Sequence, residues 1–272
     1  MKNHLAVLAI AAGLGTVVAD ASEVDLQPGL EALNERKFVE AAAVFKEGWE
    51  AGDADGLFYI GRMQELGLGT PADISKAVAV YRKASDEGSA QAANRLGLLH
   101  LDGNGVLQDY AEARKLVCAA AEQGLASGQF NCGVLHAQGR GGDADLTEAA
   151  ANYAKAAEQG HVGAMNLYGS ALLSGDGAEA DPAAAFGWFE KTAARGNPMG
   201  LFTLGQLYEA GSGTEADAVK AHLYYNLAGA RNHPQARLGR KRVEAGMTAE
   251  QIETAQAAAR EWTPEQAAPA TE

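Results

Sequence analysis

A chain of 272 residues with 35 acidic side chains against 22 Lys and Arg carries a formal net charge of −13 at pH 7. A field of that sign repels phosphate backbones and anionic lipid, and no basic cluster offsets it, so nucleic acid and anionic membrane surfaces are poor partners. The 33 glycines are abundant for a chain that otherwise reads as helical, and they require a structural reason.

The chain opens with Lys2 followed by an uncharged apolar or small run from Leu5 to Val18, and Ala19-Asp20-Ala21 supplies a small-x-small cleavage site. Residues 1–21 are therefore expected to be a cleavable signal peptide, with the mature chain starting at Ser22. The apolar run, about 14 residues, is short for a span that needs roughly 20. No cysteine follows it to carry lipid. The expectation is an exported bacterial protein, periplasmic or secreted, in a compartment that permits disulfides.

From residue 53 to residue 232 the chain repeats with a period of 36 residues, through blocks 53–88, 89–124, 125–160, 161–196 and 197–232. Gly61, Gly97, Gly133, Gly169 and Gly205 form one column, and two further columns make a Gly-x-Gly in every block, as at Gly103 and Gly105. A period in this range signals a solenoid. Each block reads as a helix A ending at the Gly-x-Gly and a helix B running from an aspartate to the terminal glycine. On helix B, Ala77, Ala113, Ala149, Ala185 and Ala221 are followed four residues on by Tyr81, Val117, Tyr153, Phe189 and Tyr225, a buried helical stripe. The glycine inside helix A costs about 1 kcal/mol relative to alanine, so its recurrence predicts a neighbouring helix backbone too close for a Cβ. The column Asp73, Asp109, Asp145, Asp181 and Asp217 is read as helix caps, because aspartates a full repeat apart cannot share an ion. Glu112 and Glu148 follow at the capping-box position.

The flanks read as ends of the same array. Residues 22–52 keep helix B, with Ala41, Phe45 and Gly52 in register, but lack the Gly-x-Gly and are expected to be a truncated first repeat or cap. Residues 233–262 are expected to form C-terminal capping helices, the last starting at Thr248 with Gln251 in a capping box. Trp262 is expected to cover the final apolar face. Residues 263–272 are expected to be a disordered tail.

The whole block, as in SAQAANRLGLLHLDGNGVLQDYAEARKLVCAAAEQG, carries Ala-x-x-x-Leu-Gly, Gly-x-Gly, Asp-x-x-x-Ala and a closing Ala-Ala-Glu-Gln-Gly. It resembles the Sel1-like repeat family, a relative of tetratricopeptide repeats, over roughly residues 27–262. The resemblance implies an all-α fold, a right-handed α/α superhelix (solenoid) of about six 36-residue helix–turn–helix repeats, which binds other proteins on its concave surface. It supplies no shared catalytic residues. Exported members of the family include regulators that hold a sensor kinase through its periplasmic domain, and others that act in envelope assembly or host contact.

A binding surface should be the stripe whose chemistry varies while the packing columns stay fixed. Such a stripe runs along helix A, and its candidate contact residues are Tyr59, Arg62, Arg95, Asn131, Gln138, Leu167 and Gln206. The partner expected there is another protein, such as a sensor kinase or an envelope complex. Catalysis finds no support: the Gly-x-Gly loops follow helices instead of strands, no Gly-x-Ser-x-Gly elbow exists, and the histidines are scattered. No cofactor or metal is expected, and the chain is read as not an enzyme. A cell-wall role, in binding muropeptides or β-lactams as proposed for some cysteine-rich family members, is the alternative reading.

Cys118 and Cys132 are the only cysteines. The first falls on helix B of one block and the second on helix A of the next, each seven residues from a turn near Leu125. Positions equidistant from the turn of a helical hairpin face each other, which favours a disulfide. Free thiols remain open as a reading, since Cys118 stands where other blocks carry Arg82, Ala154, Glu190 and Asn226. A metal site of Cys132 with His136, one turn on, lacks further ligands.

Overall fold

The computed structural model describes residues 24–265. The expected signal peptide and residues 266–272 of the expected tail lie outside the described residues. Five helix pairs follow the period: α3 (Ala54–Leu66) with α4 (Ile74–Asp86), α5 (Ala90–Asp102) with α6 (Tyr110–Glu122), α7 (Ala126–Gln138) with α8 (Leu146–Glu158), α9 (Val162–Ser174) with α10 (Pro182–Ala194), and α11 (Pro198–Ala210) with α12 (Ala218–Ala230). They are preceded by α1 (Gln27–Asn34) and α2 (Phe38–Glu50) and followed by α13 (Ala236–Glu244) and α14 (Ala249–Glu261). Among the described residues there is no strand, and no helix is long and apolar enough to cross a membrane. The architecture is an all-α solenoid.

Local chemistry sets where each helix starts and stops. The capping aspartates act as expected: Asp109 accepts from the backbone N–H of Ala111 and Glu112, both at 3.0 Å, and Asp181 accepts from Ala184 at 2.9 Å. The reciprocal half of the capping box is absent at Asp109 and Asp145. Their own N–H groups donate to the carbonyls of His100 (3.0 Å) and His136 (2.9 Å) on the preceding helix A. That bond ties the two helices of a repeat together and leaves Glu112 free to pair with Lys115 at 3.2 Å. At Thr248 both halves of the box form, with Gln251.

Two glycine columns have separate steric causes. Gly141, second in its Gly-x-Gly, has φ 79°, and a Cβ there would overlap the carbonyl oxygen of Tyr110, the first residue of helix B in the preceding repeat. Each such loop therefore rests on the start of the previous helix B, which fixes the stacking of repeats. In the helix-A column the expected backbone approach is present at Gly97 and Gly133, where a Cβ would lie 3.0 Å from the carbonyl oxygens of Ala113 and Ala149, but a side chain comes closer still. A Cβ on Gly133 would lie 2.6 Å from the Tyr153 ring, and one on Gly205 would lie 2.7 Å from the Tyr225 ring. The large helix-B side chain fills the space that the glycine vacates. Close backbone approach also occurs outside this column, as at Gly128, where a Cβ would lie 3.0 Å from the Ala121 nitrogen.

The core runs the length of the array as this aromatic-on-glycine stack. Tyr81, Val117, Phe189 and Tyr225 are all fully buried, and burial of such a side chain stabilises by roughly 1.5–3 kcal/mol. A helices of adjacent repeats touch at α3–α5, α5–α7 and α11–α13, and B helices at α12–α14. Over the first three full repeats the A helices therefore lie nearer each other than the B helices do.

The ends of the array are built differently from its middle. The first unit has its own helix A, α1, whose Gly29 faces the Phe45 ring so closely that a Cβ on it would lie 2.5 Å from the ring. A shorter connection takes this glycine out of the 36-residue register, which hides it from a column reading. At the other end Trp262 packs on the last core cluster with the Arg231 guanidinium 4.6 Å from its ring centre. The N–H of Glu265 donates to the Ala194 carbonyl at 2.8 Å, so the start of the tail is held against α10.

Candidate interaction surface

The A-helix stripe divides into a bonded part and an open part. Arg62 (2.9 Å) and Arg95 both pair with Glu65, which also accepts from the Tyr81 hydroxyl at 2.6 Å. Tyr59 is half-buried, its ring stacked on Phe45 at 4.8 Å. Asn131 donates to Asn94 at 3.0 Å, across one repeat. Arg95 and Asn131 thus join neighbouring A helices, Arg62 braces Glu65 within α3, and Tyr59 packs on α2. Gln138, Leu167 and Gln206 are exposed, and Met199 beside them is 49% exposed. The candidate residues left open therefore lie on α7, α9 and α11.

The electrostatics match this division. Burial pushes the Glu65 carboxyl up, but hydrogen bonds from Arg95 and Tyr81 and the charges of Arg95 and Arg62 outweigh it and hold the group below the usual carboxylate range. The same assembly recurs four repeats later. There Tyr225 donates to Glu209 at 2.5 Å and Arg242 pairs with the same carboxylate, which is again held low, mainly by the Arg242 hydrogen bond. Asp55, earlier on the stripe, accepts from Ser89 at 2.5 Å, yet burial leaves its carboxyl raised.

The opposite side carries a second repeated feature that the column reading missed. Neighbouring B helices leave a groove floored by the helix A between them. Between α4 and α6 it is a cavity of about 410 Å³ lined by Arg82, His100 and Glu112, among others. Between α12 and α14 it is about 330 Å³ and lined by Asn226, Arg240, Glu244 and Arg260. Nearby, the fully buried His222 meets Glu244 at 2.9 Å. Toward the C-terminal half the groove is filled by aromatic pairs, Tyr168 on Trp188 and Tyr208 on Tyr224. The signal for it lay in residues spread over three helices, and no single-helix stripe shows it.

Between α6 and α8 the groove holds the cysteines. Cys118 and Cys132 are joined by a disulfide, with Cα atoms 5.0 Å apart. Cys132 is 3% exposed. His136 stands beside them with Arg114 2.8 Å from its Nδ1. Burial first, and then the Arg114 charge, push the His136 imidazole down.

Five consecutive Sel1 repeats match residues 54–89, 90–125, 126–161, 162–197 and 198–233. The fold is similar to a protective antigen of uropathogenic Escherichia coli that displays an SLR fold, at 30% identity and a TM-score of 0.72 over 86% of this chain and 52% of that one. This chain thus spans about half the length of that protein. It is also similar to a Sel1 repeat protein of Oxalobacter formigenes, at 27% identity and a TM-score of 0.69 over 78% of this chain and 87% of that one. No curated protein matches the chain. With five matched repeats covering well over half its length and the helix pairs to go with them, the chain belongs to the Sel1 repeat family.

Proposed function

We propose that this chain is an exported bacterial scaffold or regulator that works in the periplasm by holding one protein partner, a sensor-kinase periplasmic domain or an envelope assembly factor, on its A-helix face. Sel1 repeat proteins generally mediate protein–protein interaction and are generally non-enzymatic. The observation that carries the reading is the set of exposed residues Gln138, Leu167, Met199 and Gln206 on the A helices of three successive repeats. An apolar and amide surface of this kind suits a folded partner and gives no purchase to a phosphate. The export part of the reading rests on Lys2, the apolar run and Ala19-Asp20-Ala21.

The test places a photo-crosslinking residue at Leu167, at Gln206 and, as a control on a B helix, at Lys155 of α8, in intact cells. The expected result is one envelope protein captured from the first two positions and not from the third. Capture from Lys155 alone, or from none of the three, overturns the assignment. Fractionation with N-terminal sequencing checks the location: a periplasmic chain starting at Ser22 is expected, and a cytoplasmic chain starting at Met1 would contradict it.

A further inference from the structure

The junction between α6 and α7 holds more chemistry than a covalent brace uses. Cys118 comes from α6, while Cys132 and His136 stand four residues apart on α7 and so share one face of that helix. The two sulfurs and a ring nitrogen all lie within 4.8 Å of one another. Cysteine and histidine together are the donors that zinc favours, at about 2.3 Å from sulfur and about 2.0–2.1 Å from nitrogen. Donors around one tetrahedral ion at those lengths stand roughly 3.3–3.8 Å apart, so the sulfurs must separate from bonding distance on reduction while His136 already stands within reach. Along the sequence only Cys132 and His136 are near neighbours; the fold supplies the third donor.

We propose that reduction of the Cys118–Cys132 disulfide turns this junction into a Cys2His site for a thiophilic divalent cation, zinc foremost, so that the same repeat boundary alternates between a covalent and a metal brace. Reduction by an external dithiol breaks the sulfur–sulfur bond and places two electrons and two protons on the cysteines, while the dithiol closes to its own disulfide. Binding M²⁺ then releases both thiol protons to solvent. Two thiolates and one M²⁺ sum to zero charge, which suits a groove where Cys132 is buried. The coordination position that three protein ligands leave open is available to water.

Arg114 is the group that opposes the ion. Its guanidinium bonds the Asp143 carbonyl at 3.0 Å and lies 2.8 Å and 3.4 Å from the two ring nitrogens of His136. It must swing away before His136 can ligate. The site lies in the groove between α6 and α8 and is independent of any partner on the A-helix face.

The experiment titrates Co²⁺ and Zn²⁺ into the full chain, without air, after reduction with a phosphine and its removal. Far-UV circular dichroism follows the helices, and absorption follows the thiolate-to-cobalt charge-transfer band. The expected result is one equivalent of Co²⁺ bound with that band by the reduced chain, displaced by Zn²⁺, with helicity retained. The oxidised chain should show no band. His136→Ala should weaken binding by more than the roughly 10–100-fold that loss of an outer partner of a ligand costs, and Arg114→Gln should tighten it. Absence of the band, binding insensitive to His136→Ala, or a loss of helix on reduction that the metal does not restore would each overturn the proposal.

Discussion

The Tyr81 hydroxyl donates to the Glu65 carboxylate at 2.6 Å, at the point where Arg95 arrives from the next repeat. One carboxylate thus ties both helices of a repeat and the first helix of its successor. The same arrangement at Tyr225, Glu209 and Arg242 sits near the other end of the array. Between them, the equivalent places hold Leu101 with Val117 and Leu173 with Phe189. The solenoid solves one junction in two ways, by a charged network and by plain packing.

Glu65→Gln keeps the shape but removes the charge from a carboxylate that bonds two arginines and a tyrosine. A loss of about 1.5–3 kcal/mol is expected, as for hydrogen bonds to a charged group, read by urea denaturation at pH 7. The triple variant Glu65→Leu, Tyr81→Phe, Arg95→Thr copies the junction of Leu173, Phe189 and Thr203. It should recover most of that loss, because apolar replacement of a whole polar cluster is often neutral.

Acid should weaken the array through these two carboxylates. Glu65 and Glu209 are both held low in the folded chain. Their contribution is complete above the unfolded value of about 4.3 and disappears as the pH falls through the depressed folded values. The double variant Glu65→Gln, Glu209→Gln should therefore start from a lower melting temperature at pH 7 and fall less than the wild type on acidification below pH ~4. Parallel melting curves for the two proteins would refute this account.

Two glycine substitutions should move in opposite directions. Gly133→Ala drives a Cβ to 2.6 Å from the Tyr153 ring and 3.0 Å from the Ala149 carbonyl. Overpacking of this kind costs about 1–3 kcal/mol, beyond what the better helix propensity returns. Gly187, within α10, has nothing within 4 Å of an added Cβ, so Gly187→Ala should stabilise by up to about 1 kcal/mol. Thermal melts of the two variants side by side decide the point.

The disulfide should contribute measurably to stability. It links residues with a sequence separation of 14, and closing a loop of about 15 residues is worth about 3 kcal/mol in the chain-entropy model. Without added metal, the Cys118→Ser, Cys132→Ser variant should melt at a lower temperature than the oxidised wild type. Non-reducing mass spectrometry of the wild type should find a mass two hydrogens below that of the dithiol. Full thiol labelling of protein taken directly from the periplasm would count against an oxidised resting state.

The sequence by itself determined the repeat, the helix ends and the packing stripes, because those are set over a few residues. An aspartate cap reaches two or three residues ahead, as Asp109 does to Ala111 and Glu112, and a left-handed Gly141 is required by its own backbone. Only the tertiary structure decided which stripe residues are open. Arg62, Arg95 and Asn131 read as free surface, but Arg95 and Asn131 find their partners 30 and 37 residues away, at distances that depend on the curvature of the stack. The same holds for Gly29, displaced from its column by a shorter turn, and for Cys118, which joins Cys132 and His136 only when α6 folds against α7. A 36-residue period specifies that neighbouring repeats touch; the angle at which they touch selects which side chains meet.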